Sequence, residues 1–234
     1  MKIAIMQPYF FPYIGYFQLI NSVDEFIVYD NIQFTKKGWI NRNRILVNGK
    51  DDYITLPLKK DSDYLQVCQR LLAETWVSDR KKMLNRIKES YRKAPYFDTV
   101  YPVIEECILF EDQNLFNFIL HSVQQINKYL KIKTQLITAS TIAMDHELKA
   151  ESKVIEICKK RNANIYINPS GGVELYSKSN FADHSIDLQF IKSDDIQYKQ
   201  FDKAFVPWLS IIDVMMLNSK DQIADYLDSF YTLK

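Results

Sequence analysis

Cysteine is scarce in this chain. The three present, Cys68, Cys107 and Cys158, are odd in number and far apart, which argues against a disulfide framework and a cysteine-rich zinc site and points to a reducing compartment. Net charge is almost absent too. Thirty basic residues face twenty-nine acidic ones, for a formal charge of +1, so no global positive field draws the protein to DNA. No stretch approaches the roughly 18 uninterrupted apolar residues of a membrane span, and any membrane role would be peripheral. The first twenty residues are apolar, but Gln7, Pro8, Pro12 and Gln18 interrupt them and no small-residue cleavage site follows. They read as part of the fold rather than as a signal peptide, and the expected location is cytoplasmic. Repeats, low-complexity tracts and linkers are missing, and a chain of 234 residues suits one body, 1–234, with a substantial core. Aromatic side chains, in contrast, are abundant at 14%, with fifteen Tyr and fourteen Phe. Many stand beside polar residues, as in the lining of a cleft, and exposed ones would support a homodimer.

Hydrophobic patterning predicts an α/β fold, a Rossmann-like parallel sheet core with a small β-hairpin insertion and a helical segment. Lys2 to Met6 is a buried strand stopped by Gln7-Pro8, Tyr13 to Asn21 a short helix, and Phe26 to Tyr29 a second strand, which together make a βαβ start. Arg44 to Val47 and Tyr53 to Leu58 flank Asn48-Gly49, the residue pair that supplies the positive φ of a hairpin turn. Leu65 to Leu71 adds a third strand to an insertion over 34–72. The segment 77–130 has helical periodicity, with Met83, Ile87 and Tyr91 on one stripe and Phe116, Ile119, Val123 and Ile126 on another. Breaks near Ala94-Pro95 and Glu111-Asp112 divide it into three helices. Thr134 to Thr138 and Ile165 to Asn168 bracket a helix from about Glu151 to Arg161 as a second βαβ unit. A strand at Leu188 to Ile191 and helices at Trp208 to Leu217 and Lys220 to Tyr231 close the chain.

Two segments concentrate chemistry. In Gln7 to Ile20, two prolines fix the backbone and Gly15 permits a close approach, at the place where open α/β sheets bind ligands outside the carboxyl ends of their strands. Gln7, polar at the end of a buried strand, requires a partner. In Gln33 to Arg44, Lys36, Trp39, Asn41, Arg42, Asn43 and Arg44 combine cations, carboxamides and an indole, the materials for holding a phosphate, a carboxylate or a sugar hydroxyl. These two segments are expected to meet and form the working site. Asn168-Pro169-Ser170-Gly171-Gly172 follows a strand, and its paired glycines, in a chain with five in all, allow backbone to approach a ligand. It lacks the Gly-Lys-Ser/Thr ending of a P-loop. His121, His146 and His184 have no metal-ligand spacing, and no metal is expected. Asp145-His146 and Asp183-His184 each set a base beside a carboxylate. Asp213 lies within an apolar helical run, where its charge needs a partner, expected to be an Arg or Lys of the site or the end of a neighbouring element that it caps. The cysteines read as structural thiols.

The opening Gln7-Pro8-Tyr9-Phe10-Phe11-Pro12 to Gly15-Tyr16, the stretch Asp30 to Lys36, Trp39-Ile40-Asn41-Arg42-Asn43-Arg44 and Phe205-Val206-Pro207-Trp208-Leu209-Ser210-Ile211-Ile212-Asp213 together resemble the WbqC-like protein family over essentially the whole chain. The resemblance implies a bacterial protein of O-antigen and other surface-polysaccharide gene clusters, attaching an amino-acid group such as glycine to an amino sugar. It transfers no established catalytic residue. A remoter similarity is one of placement: Tyr13 and Tyr16, either side of Ile14-Gly15, stand where adenylyl-transferring Rossmann-like enzymes such as pantothenate synthetase carry the two histidines of a His-x-Gly-His motif. A tyrosine hydroxyl donates a hydrogen bond but brings no positive charge at neutral pH. Tyr176-Ser177-Lys178-Ser179-Asn180 is faintly similar to the basic phosphate loop of the same enzymes.

On the resemblance, the leading expectation is a transferase of surface-polysaccharide (O-antigen, lipopolysaccharide) biosynthesis that attaches an aminoacyl or acyl group to the amine of a nucleotide-linked amino sugar. Lys36, Arg42 and Arg44 would contact anions, and Gln7, Asn41 and Asn43 would position sugar or acyl group. Tyr9 and Trp39 would stack on a ring, with Asn168, Ser170 and Gly171 as further substrate contacts. His184, Asp213 or Tyr16 would assist the chemistry. The alternatives are an ATP-dependent ligase or nucleotidyl transferase, and a non-catalytic nucleotide-sugar-binding or scaffold protein. The residues identify neither a cofactor nor the acyl donor.

Overall fold

The computed structural model describes residues 1–201 and 204–234. Its centre is a sheet of six strands: β1 (Lys2–Met6), β2 (Glu25–Val28), β5 (Gln135–Thr138), β6 (Ile165–Pro169), β7 (Asp187–Ser193) and β8 (Tyr231–Leu233), in the order β5-β2-β1-β6-β7-β8. All neighbours run parallel except β8, which returns antiparallel along β7. Outside this sheet, β3 (Arg42–Val47) and β4 (Lys50–Thr55) form an antiparallel hairpin. Its two-residue turn has φ of 53° at Asn48 and 81° at Gly49, the pair of left-handed residues that matches strand twist in a tight hairpin.

Alternation along β1 divides the core. Ile3 and Ile5 point to one face, where they join Val154, Ile157 and Phe181 of α5 (Ala150–Lys160) and α6 (Lys178–Asp183). Ala4 points to the other face, which is covered by α1 (Ile14–Asn21) and then by α2 (Trp76–Tyr91), α3 (Phe97–Leu109), α4 (Leu115–Leu130), α7 (Ile211–Leu217) and α8 (Lys220–Ser229). Helix α1 is buried from Ile14 to Ile20. Within it Gln18 donates to the carbonyls of Tyr226 and Phe230 at 2.7 and 2.9 Å, binding α1 to the end of α8. Across the sheet, Arg161 grips Glu25 with two hydrogen bonds of 2.8 and 2.5 Å, joining the end of α5 to β2.

The fold class matches expectation, and so do the hairpin turn and the three helices over 76–130. Four details differ. Leu65 to Leu71 is no strand: it contains a 3-10 turn at Val67–Gln69, and its β-type pairing among the described residues consists of isolated bridges such as Gln33 with Gln66. The second βαβ unit is not a neighbouring pair, because β5 is an edge strand and α5 carries the chain across β2 and β1 to reach β6. Trp208 does not open a helix, since its φ of 61° is left-handed and α7 begins only at Ile211 under the cap of Ser210. Helix α6 and strand β8 have too few residues for a periodic signal. No helix among the described residues is long and apolar enough to cross a membrane.

Candidate functional site

The strand order reverses between β1 and β6, so the carboxyl edge of the sheet is open there, the usual ligand position in doubly wound sheets. The chain leaving β1 does not pass straight into α1. It makes a loop whose shape is held from three sides. Tyr16 returns from the first turn of α1 and donates its hydroxyl to the Gln7 carbonyl at 2.9 Å. Asn43 of β3, 4% exposed, donates to the carbonyls of Phe10 and Phe11 at 3.1 and 2.9 Å. Ser210, the cap of α7, donates to the Phe11 carbonyl at 2.7 Å, and the Ile211 N–H reaches the Pro12 carbonyl at 2.9 Å. Phe11 sits at φ 42°, a conformation that a bulky residue adopts only when its surroundings over-determine it. Phe10 and Phe11 fill the core beneath, both fully buried, and Tyr9 and Tyr13 are left facing outward.

Two adjacent pockets share Tyr13 and Trp208, and Tyr9 lines the second; together they make a groove of two chambers. The first, about 390 Å³, is lined by Tyr13, Ser193, Asp194, Asp195, Tyr198, Phe205 and Trp208 among others. The second, about 350 Å³, is lined by Tyr9, Pro12, Tyr13, Trp39, Asn43, Arg44 and Trp208. Tyr13 and Trp208 belong to both and meet edge to face with centroids 5.9 Å apart. Like Phe11, Trp208 is left-handed, and it is 55% exposed. Two strained aromatic positions beside one groove are backbone energy spent where a ligand would lie. The groove stands at the carboxyl ends of β1 and β7 on the α1 side. Gly15 makes that closeness feasible, because a Cβ there would lie 2.3 Å from the Tyr13 hydroxyl and 2.4 Å from Ser193 Oγ.

The structure brings the two expected segments together: besides the Asn43 bonds, the Phe10 N–H donates to the Trp39 carbonyl at 3.2 Å. The side chains then divide by role. Trp39 lies over Tyr53 with centroids 6.3 Å apart and lines the second chamber. Arg44 lines it as well, donates to the Trp208 carbonyl at 3.2 Å and pairs with Asp51 at 3.0 Å, and its guanidinium stands 5.7 Å from the Trp39 ring. Arg42 points away, giving its guanidinium to the carbonyls of Lys37 and Gly38 and to the face of Tyr53. Lys36 forms an exposed ion pair with Asp63. Asn41 donates to Leu56, bracing the base of the hairpin. Of the three cations, one reaches the groove.

Asp213 is fully buried and among the described residues has neither an Arg nor a Lys partner. Its carboxylate accepts from the hydroxyls of Tyr91 at 2.8 Å and Tyr198 at 2.7 Å and from the Gln200 amide at 2.8 Å. Burial raises its affinity for a proton and the three donors oppose that rise. Tyr91 in turn accepts from the Leu46 N–H at 2.9 Å, so the network joins α2, α7, the hairpin and the first chamber's Tyr198. Asp213 acts on the groove through Tyr198 rather than by reaching into it. Tyr16 is 3% exposed, and burial raises the pKa of its hydroxyl well above the ordinary value. Tyr9 is raised by burial first and by Tyr13 second.

The remaining expected residues lie outside the groove. His184 caps the end of α6, before β7 begins, and so sits at the amino edge of the parallel strands, opposite the groove. The Asn168 amide is turned on its own neighbours, accepting from Tyr166 at 3.1 Å and donating to the Pro169 carbonyl at 3.1 Å. It packs so closely on Gly172 that a Cβ there would lie 2.1 Å away, which gives that glycine a structural reason. Ser170 and Gly171 are exposed next to it. Gln7 contributes its carbonyl, and among the described residues its carboxamide has no hydrogen-bond partner. His146 meets Asn31 at 3.0 Å. Among the described residues no group of three or more His, Cys, Asp or Glu side chains converges on a metal position. Asp194, Asp195, Ser193 and Trp208 were not singled out by sequence. The available signal was Asp194-Asp195 directly after a buried strand, with Asp194 in the same position relative to β7 that Gln7 has relative to β1.

A mostly parallel α/β sheet with an aromatic groove at its carboxyl edge defines a protein of Rossmann-like architecture. Within that class the chain belongs to the WbqC-like protein family, whose model matches residues 7–225. It is 30% identical over 233 residues to a protein of Mycobacterium tuberculosis named Uncharacterized protein Rv1507c, and the match covers 97% of each chain. No solved structure matches the chain.

Proposed function

We propose that this protein is a cytoplasmic transferase of surface-polysaccharide biosynthesis that attaches an aminoacyl group such as glycyl, or another acyl group, to the amine of a nucleotide-linked amino sugar. The observation that carries the reading is the two-chambered groove, which offers stacking rings along its length and different charge in its two halves. Sugar and base rings both present flat or weakly polar faces that stack on Tyr and Trp, and base stacking on an aromatic contributes about 1–3 kcal/mol. The WbqC-like resemblance supplies the polysaccharide setting.

In this reaction the neutral amine nitrogen attacks the acyl carbon and forms the C–N bond. The bond from that carbon to the donor's oxygen or sulfur then breaks, the leaving group takes the electron pair, and the nitrogen releases one proton. Asp194 and Asp195, in the first chamber, are the carboxylates placed to accept it. Arg44 and Trp39 hold the nucleotide end. Asp213 positions Tyr198, and Asn43 holds the loop that carries Tyr9 and Tyr13.

The test is incubation with nucleotide-linked amino sugars and activated acyl or aminoacyl donors, with mass spectrometry for the amide product, beside binding isotherms for the wild type, Trp39→Ala and Trp208→Ala. The expected result is an amide product and a loss of nucleotide-sugar affinity of roughly tenfold in each variant, the lower end of one lost stacking contact. Absence of binding by every nucleotide sugar would overturn the reading. Tight binding without product under any donor would favour a scaffold. A second reading, an ATP-dependent ligase or nucleotidyl transferase, is supported by the opening of α1 at Tyr13-Ile14-Gly15-Tyr16 against the first chamber, and binding of ATP with magnesium in preference to any sugar nucleotide would put it first.

A further inference from the structure

The two chambers differ in electrical sign. Around the first stand the rings of Tyr13, Tyr198, Phe205 and Trp208, with the carboxylates Asp194 and Asp195, and among the described residues that line it there is no Lys or Arg. The rings make two edge-to-face pairs, Tyr13 with Trp208 at 5.9 Å and Tyr198 with Phe205 at 5.3 Å, so faces of negative quadrupole are turned in more than one direction. Aromatic faces joined by carboxylates are the surroundings that recognise an ammonium group. Around the second chamber stand Tyr9, Tyr13, Trp39 and Trp208 with the guanidinium of Arg44 and no carboxylate in its lining. The guanidinium is already shared with Asp51 at 3.0 Å, which lies outside the lining, and among the described residues its buried Nε has no hydrogen-bond partner; a guanidinium accepts an oxyanion in preference to a cation. Each chamber is therefore hostile to the group the other accepts, since an anion among Asp194 and Asp195 or an ammonium beside Arg44 meets like charge.

We infer that the groove reads a bipolar ligand in one direction only, with a primary ammonium in the chamber of Asp194, Asp195 and Trp208 and a phosphate-bearing or similarly anionic group in the chamber of Arg44 and Trp39. Resting on the transferase reading, this deepens it: the acceptor enters with its sugar amine free and protonated, the ammonium gives one proton to one of the two carboxylates before the neutral nitrogen attacks, the second proton passes to the other as the amide forms, and the same sugar already N-acylated is discriminated against. Product release follows from the same contrast, because amide formation removes the charge that the first chamber holds.

The chain supplies its own reporters, since its three tryptophans are Trp39, Trp76 and Trp208. Trp208 belongs to both chambers, Trp39 to the second alone, and Trp76 is buried in the core at 5% exposure as an internal control. Indole N–H signals of nitrogen-labelled full-length protein are followed during titration with glucosamine, with N-acetylglucosamine and with uridine monophosphate. Glucosamine is expected to move Trp208 and leave Trp39 and Trp76 in place, while uridine monophosphate moves Trp39. N-acetylglucosamine is expected to move Trp208 at least tenfold more weakly than glucosamine. Asp194→Asn/Asp195→Asn removes the glucosamine response and keeps that to uridine monophosphate, and Arg44→Gln does the reverse. Equal responses to glucosamine and N-acetylglucosamine, a glucosamine response at Trp39 alone, or no glucosamine response overturns the inference. If the probes respond as expected while no nucleotide sugar binds, the polarity stands and the transferase reading falls. If a nucleotide sugar binds without preference for the free amine, the reading stands and the polarity falls.

Discussion

The Asn43 side-chain amide donates to the Phe11 carbonyl at 2.9 Å, joining the second residue of β3 to the strained corner of the loop after β1. Its second bond, to the Phe10 carbonyl, and the bond that its oxygen accepts from the Arg44 N–H at 2.8 Å use the rest of the side chain. Replacing Asn43 by Asp turns a carboxylate toward two carbonyls, and replacing it by Ala leaves the Phe10 carbonyl buried and unpaired. Either is expected to cost about 2–3 kcal/mol of stability, the upper range for an unsatisfied buried polar group. Denaturant unfolding measures it, and an Asn43→Asp midpoint equal to wild type would show that the loop holds itself.

The Asp213 network has a definite pH signature. Burial raises the folded carboxyl above its unfolded value, so between the two values the folded state binds more protons and stability falls as pH rises through that window. Tyr198 is one of the donors that oppose the rise. In Tyr198→Phe the folded carboxyl moves further up, and the loss relative to wild type grows from small at acid pH, where Asp213 is protonated, to about 2 kcal/mol near neutrality, the scale of a hydrogen bond to a charged group. Unfolding curves at several pH values between 4 and 7 test this. A loss independent of pH would mean that the hydroxyl is valued for packing alone.

Gly15 has room for hydrogen and not for a methyl group. Gly15→Ala gains helix propensity of about 1 kcal/mol but drives a carbon into Tyr13 and Ser193, and overpacking costs about 1–3 kcal/mol. The expected net result is a modest loss of stability with a clear loss of ligand affinity, because Tyr13 must leave its place between the chambers. In a Tyr13→Ala/Ser193→Ala background the same substitution is expected to be neutral or stabilising, which thermal unfolding of the four proteins would reveal.

At the hairpin turn, Gly49 adopts φ 81°. Gly49→Ala places a Cβ in the left-handed region and is expected to destabilise the protein by about 1–2 kcal/mol. Gly171, exposed and with nothing within 4 Å of a built Cβ, is the control: its replacement by Ala should leave the melting temperature unchanged within about 1 °C.

Local chemistry wrote much of the fold into the chain. The apolar run Lys2 to Met6 stopped by Gln7-Pro8, the Asn48-Gly49 turn and the stripes of α2 and α4 each act over a few residues, so each was legible before any tertiary contact was known. The meeting of the Gln7 to Tyr16 loop with Lys36 to Arg44 was expected from the residue types the two segments concentrate, but it is made by Asn43 and backbone groups, and the partner expected for the Gln7 carboxamide is not found among the described residues. What could not be read was direction. Arg42 and Arg44 stand two apart on a strand and share a side of it, yet Arg42 closes on the carbonyls of Lys37 and Gly38 while Arg44 turns toward Trp208. That choice depends on carbonyls and rings delivered from 164 residues away as well as from the same turn.

The sequence by itself determined the α/β class, the hairpin, the helical segment and the crowd of aromatics that had to line something, because propensity, turn chemistry and hydrophobic period are local quantities. Only the tertiary structure decided that Asp213 rests among Tyr91, Tyr198 and Gln200, that His184 stands at the far edge of the sheet, and that Asp194 and Asp195 line one pocket with Trp208. Strand order is the physical reason: once β7 lies beside β6 and α1 packs against the end of β7, residues remote in the chain share one edge, and no local energy term encodes which edge that is.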